Sequence, residues 1–165
     1  STAEETERVV QYSRYAPVGI RGLVSPGILT GFESPDGSDW VESQNNEILV
    51  AIKVESGTGI DNIEEIAAVP GLDAILIGPG DLSATLGVPG QTGHPDVIDC
   101  IERMLAAAKK NGVAGGPHVG NAADAEAWAD KGATFMSLNF DGGLLLDVST
   151  SAVNESRRRL GDRML

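Results

Sequence analysis

Cysteine is nearly absent from these 165 residues: Cys100 stands alone, so no internal disulfide can form and the chain fits a reducing compartment. It lies in a helically spaced apolar run, which makes it a packing residue. Basic residues are scarce, 12 Lys and Arg against 24 Asp and Glu, for a net charge of −12. A phosphate backbone or an anionic membrane surface is gripped by Lys and Arg, so neither nucleic acid nor membrane is expected as a partner. The acidic excess reads first as a solvated, charged surface. No apolar run is long enough to span a bilayer. The opening "STAEETERVV" has neither the basic nor the apolar stretch of a signal peptide, and a cytoplasmic location is expected. Aromatic residues make up only 4% of the chain. Trp40 and Trp128 read as packing residues, the latter on the apolar side of a short helix with Ala125 and Ala129.

Hydrophobic residues are present in quantity, 41%, enough for the core of one domain spanning residues 1–165. A first helix is expected over residues 2–15, capped by Ser1 or Thr2 with Glu4 or Glu5 three residues on. "RYAPVGIRGLVSPG" and "GFESPDGSDW" read as loops, and "VESQNNEI" as a short helix. A repeating pattern follows. Strands are expected at residues 48–54, 74–77, 113–117 and 134–138, and helices at 61–69, 95–111, 122–131 and from 148 onward. The clearest is 95–111, where Val97, Ile98, Ile101, Met104, Leu105 and Ala108 keep the helical period before Asn111-Gly112 ends it. Strands alternating with helices imply parallel pairing and the α/β class. Short strands that are oily on both faces suit a buried parallel sheet. An open doubly wound sheet and a (β/α)8 barrel both satisfy this pattern, and both bind ligands at the carboxyl ends of their strands.

Two oily runs, "ILVAIKVES" and "AILIGPGDLS", deliver an acid at such an end: Glu55 and Asp81. Consecutive strands of this class are neighbours, so the two carboxylates can converge at one rim. With no cysteine nearby and only scattered histidines, they define an oxygen-only site suited to Mg2+ or Mn2+ completed by waters and a substrate oxygen. Solvated or capping acids at strand ends are the plainer alternative. Gly78 and Gly80 remove side chains so that backbone N–H groups can approach an anion, and "DLSATLG" can open a helical turn behind them. Lys53 and Glu55, two apart on a strand, point to the same face. His118 lies at another strand end, where it would serve as a general base or as a satisfied structural residue. His94 reads as a helix-start residue before Pro95.

These same residues resemble a known family. "AIKVESGTGIDNIEEIAAVPGLDAILIGPGDLSATLG" is similar to the metal-binding core of the HpcH/HpaI aldolases, the class II pyruvate aldolases, and "RYAPVGIRG", "GHPDVIDCIERMLAAAKKNG" and "WADKGATFMSL" fit the family's motif order. The resemblance covers nearly the whole chain. It implies a TIM (β/α)8 barrel and reversible cleavage of 4-hydroxy-2-oxo acids to pyruvate and an aldehyde through a metal-stabilised enolate. By this resemblance Glu55 and Asp81 hold the divalent metal, Mg2+ first with Mn2+ or Co2+ as options, and the backbone N–H groups of Gly80 and Asp81 hold the pyruvate carboxylate. It also implies a homo-oligomer, often a hexamer, with residues 148–165 docking on a neighbour.

The sequence departs from the family in places. Lys53 stands where Gln is common; it reads as the partner of a nearby acid, or as a Schiff-base lysine working without metal. His118 is not the residue the family leads one to expect in its strand. Arg21 matches a family position and reads as structural, and Asp141 follows the last strand without a clear role. The matched motifs correspond to strands five to eight, the C-terminal half of the barrel, so an N-terminal half barrel is expected, whether missing, on a second chain, or replaced by self-association. Two other functions fit the same residues: a non-catalytic half barrel that binds metal and 2-oxo acids, and a lyase or decarboxylase acting on oxaloacetate-like substrates.

Overall fold

A computed structural model describes residues 1–23, 27–32 and 37–163. Four parallel strands form one sheet in chain order: β1 (Ala51–Val54), β2 (Ala74–Ile77), β3 (Ala114–Val119) and β4 (Ser137–Leu138). Among the described residues eight α-helices connect and flank them: α1 (Ala3–Ser13), α2 (Gly37–Glu47), α3 (Gly57–Asp61), α4 (Ile63–Ala67), α5 (Pro79–Thr85), α6 (Pro95–Asn111), α7 (Ala122–Asp130) and α8 (Asp141–Leu160). None of the helices among the described residues is long and apolar enough to cross a membrane.

Local chemistry explains most boundaries. Thr2 caps α1 in a reciprocal box with Glu5. α6 starts at Pro95, with His94 Nδ1 accepting the Asp96 N–H at 3.2 Å, and ends at Gly112, whose φ of 70° suits glycine. One face of α6 buries Val97, Cys100, Ile101, Met104, Leu105 and Ala108 against Ile75, Ile77 and the α4 residues Ile63 and Ile66. Each such large side chain contributes about 1.5–3 kcal/mol by leaving water.

Several boundaries differ from the sequence expectation. β1 begins at Ala51 rather than residue 48, and it is not oily on both faces: Ala51 and Lys53 are exposed while Val54 is buried. The helix expected at 61–69 is two short helices meeting at Asn62, the first starting at Gly57. Its glycines hid it from a propensity reading, and Gly59 is needed because a Cβ there would stand 2.7 Å from Val54 Cγ1. α2 takes in Gly37–Trp40, part of the stretch read as loop, and residues 33–36 of that stretch lie outside the described residues. β4 is confined to two residues. α8 begins at Asp141, seven residues before the expected start, and buries none of its side chains.

β3 carries glycines for a packing reason. A Cβ on Gly115 would meet Met104 Sδ at 2.9 Å on the α6 side, and one on Gly116 would meet Met136 Cγ at 2.7 Å on the other. At the amino ends of the strands, buried Asn45 clasps the Tyr15 backbone, accepting its N–H at 2.7 Å and donating to its carbonyl at 3.1 Å. Arg14 bridges to Asp73 Oδ2 at 3.1 Å, and the same oxygen accepts the Val50 N–H at 2.7 Å. Trp40 packs on the Tyr15 ring at 5.4 Å between centroids, and Arg21 lies over that ring at 4.7 Å.

Candidate metal centre

Register builds the site. Lys53 pairs with Leu76 and Leu76 with Gly116, while Val54 pairs with Ile77 and Ile77 with Pro117. One residue further on, Glu55, Gly78 and His118 come level at the carboxyl ends, and His118 pairs with Ser137. With a period of two, this row faces the same way as Lys53, away from the buried Val54 and Ile77 side.

Glu55 turns Oε1 inward, where it is enclosed and accepts no hydrogen bond. The Lys53 ammonium stands 2.5 Å from that oxygen, both side chains being partly exposed. The contact is an ion pair, so the charge on this oxygen is met by the lysine. Gly78 leaves room for both groups: a Cβ there would lie 3.0 Å from Glu55 Cγ and 3.0 Å from Lys53 Cε, and would run into the carboxylate itself. The space at Gly78 thus serves a side chain of the same protein, not the approach of an anion. Gly80 has open space around it, so only there does the expectation of a bare, approachable backbone hold.

Asp81 is not simply at a strand end. It is the third residue of α5, exposed, and makes no hydrogen bond or ion pair with the described residues. The N–H groups of Gly80 and Asp81 belong to the first turn of that helix, which has no intrahelical acceptors. Ser83 anchors the turn, donating to the Gly80 carbonyl at 2.6 Å and accepting the Gly90 N–H at 2.9 Å. His118 is half-buried, with Nδ1 2.9 Å from Ser137 Oγ. That serine had no sequence signal, because only pairing of β3 with β4 brings it to the histidine. His118 also lines a cavity of about 390 Å3 with Gly80, Thr92, Asp124 and Trp128. A larger hollow, about 730 Å3, lies among Pro17, Val18, Leu23, Val41 and Asn45, toward the amino ends of the strands. His94 caps α6 and Asp141 opens α8, so neither is placed in the row.

The donor types at this rim suit a hard divalent cation. Glu55 offers a carboxylate oxygen whose charge is met by the Lys53 ammonium, Asp81 offers a second carboxylate with no partner among the described residues, and both are oxygen ligands. Among the described residues no three His, Cys, Asp or Glu side chains gather as a ready cage. Such an ion must take its other ligands from water and substrate, which is how Mg2+ is usually held.

A parallel α/β sheet with polar residues along its carboxyl rim defines the class: an α/β protein whose ligands bind where the strands end. The chain matches the HpcH/HpaI aldolase/citrate lyase family over residues 1–148 and belongs to it. It is 38% identical over 143 residues to 5-keto-4-deoxy-D-glucarate aldolase of Klebsiella pneumoniae, covering 87% of this chain and 55% of that enzyme. The HpcH/HpaI aldolase from Desulfitobacterium hafniense superposes with a TM-score of 0.86 at 33% identity, over 94% of this chain and 60% of that one. Macrophomate synthase superposes with a TM-score of 0.75 at 26% identity, over 97% of this chain and 57% of its own. The chain spans about half the length of the curated relatives it matches.

Proposed function

We propose that the protein carrying this chain is a divalent-metal-dependent aldolase that cleaves 4-hydroxy-2-oxo acids to pyruvate and an aldehyde, and runs the reverse addition. The observation that carries the reading is the placing of the Glu55 carboxylate at the carboxyl rim beside Gly78, with Asp81 opening the helix that follows the adjacent strand. Family membership and the aldolase relatives support it.

Glu55 and Asp81 would hold the cation, with Mg2+ favoured by the all-oxygen donor set. When bound, the ion supplies Lewis-acid polarisation of the 2-oxo group and stabilises the enolate left as the C3–C4 bond breaks. The Gly80 and Asp81 N–H groups orient the pyruvate carboxylate, which suits their position in an unpaired first turn. His118 moves a proton at Nε2 while Ser137 fixes the ring through Nδ1. Lys53 serves as the partner of Glu55; borohydride trapping of a pyruvate adduct on Lys53 would show a Schiff base in its place.

The four strands are read as strands five to eight of a (β/α)8 barrel, an arrangement supported by their sequential parallel order. An N-terminal half barrel would complete the sheet beyond β1. Leu144, Leu145, Leu146 and Val148 of α8 are exposed, which supports docking of this C-terminal helix on a neighbouring copy in an oligomer such as a hexamer. A cytoplasmic location accords with the lone, buried cysteine.

The test is exchange of pyruvate methyl protons with deuterated water, followed by NMR with Mg2+ and then with excess chelator. Exchange that the chelator abolishes supports the metal-enolate site. Exchange that persists in chelator sinks the metal reading. Metal and 2-oxo acid binding without exchange would favour the non-catalytic binding function.

A further inference from the structure

Lys53 is the only cation that the structure pairs with Glu55 among the described residues, and it does so through the same inward oxygen that lacks a hydrogen bond. The two side chains leave β1 on one face, two residues apart. Gly78 gives the room for that pairing, since any side chain there would press on Lys53 Cε and Glu55 Cγ at 3.0 Å each. The neighbour of Lys53 across the register is Leu76, which offers no competing acceptor from its side chain. About half of the Lys53 side chain is open to solvent, so the ammonium can leave Glu55 by rotating its four-carbon stem into water.

We propose that Lys53 is a tethered competitor for the cation site: its ammonium holds Glu55 Oε1 when the divalent ion is absent and must swing away for the ion to bind. The inference rests on the reading of Glu55 as a metal ligand. An ammonium has three donors and no acceptor, so it cannot share in coordination and can only repel the ion or withdraw. Its benefit is to orient the partly exposed Glu55 carboxylate at the rim. Its consequence is a weaker, more readily exchanged metal than the two carboxylates alone would give.

The experiment is titration of Mn2+ into the protein at its natural length, following free Mn2+ by electron paramagnetic resonance and heat by calorimetry. Wild type, Lys53→Gln, Lys53→Met, Lys53→Arg and Glu55→Gln are compared, with circular dichroism to show that each is folded. Removing the charge in Lys53→Gln and Lys53→Met should tighten Mn2+ binding by about two- to fivefold, the worth of one partly exposed ion pair. Lys53→Arg keeps the charge and should bind no more tightly than wild type. Unchanged or weaker binding by both neutral variants, with binding still abolished in Glu55→Gln, overturns the competitor role and leaves the metal site standing. Equal tightening by Lys53→Arg also overturns it, because charge would not be the cause. Wild-type affinity in Glu55→Gln removes the metal reading itself, and the inference with it.

Discussion

Gly78, just past the end of β2, leaves no room for a side chain beside the Glu55 carboxylate of the neighbouring strand. Its φ of −91° is open to any residue, so the requirement is one of space and not of backbone conformation. Gly78→Ala should therefore displace Glu55 and weaken Mn2+ binding. It should also destabilise the fold by about 1–3 kcal/mol, as overpacking of a buried site does. Urea melts read the second effect and Mn2+ titration the first. Full metal affinity in this variant would mean that Glu55 relocates without loss.

Glu55→Gln and Asp81→Asn keep size and remove charge. Loss of support around a metal ligand costs roughly 10–100-fold in affinity, so loss of a ligand should cost at least that much in each variant. Asp81 is exposed and unpaired, so Asp81→Asn should leave the melting temperature unchanged while abolishing tight binding. Unaltered Mn2+ affinity in both would remove the site.

His118 and Ser137 are joined at 2.9 Å only because β3 and β4 pair at those two residues. If His118 moves the proton, His118→Ala should slow pyruvate methyl exchange by about 10²–10⁴-fold. Ser137→Ala, which loses ring orientation but not the base, should slow it less. Exchange at the wild-type rate in His118→Ala would return the histidine to a structural role.

Burial pushes the Cys100 thiol above its ordinary pKa, with Asp99 and Asp96 adding to the effect and Arg103 opposing it. The folded protein holds this proton more tightly than the unfolded chain. Its contribution to stability is thus full below the ordinary thiol pKa of about 8.5 and is lost as pH rises through the raised value. A thiol reagent at neutral pH should modify Cys100 only after denaturant is added. Stability of Cys100→Ala should fall less steeply than wild type on the alkaline side. Rapid labelling of the native protein would contradict the burial seen at the centre of α6.

The sequence made α6 legible to the residue, because a helical period of apolar positions, a Pro start and a Gly stop all lie within one continuous segment. The same holds for the oily core of β2, and the cap of α1 was narrowed to Ser1 or Thr2, of which the structure uses Thr2 with Glu5. It was less informative where packing overrides local preference. α3 contains Gly57 and Gly59, poor helix formers of which Gly59 is kept by the close approach of Val54, and β3 contains Gly115 and Gly116, kept by Met104 and Met136. Asp81 was visible as an acid after a strand and at the head of a helical turn, and α5 starts two residues before it, at Pro79.

By itself the sequence determined the α/β alternation, the family and the carboxyl-end placement of Glu55, since these depend on residues close together along the chain. Only the tertiary structure decided that Gly78 lies against Glu55 and that Ser137 meets His118. Those contacts follow from the register of parallel strands, which is set by packing between segments distant in sequence and so leaves no local trace.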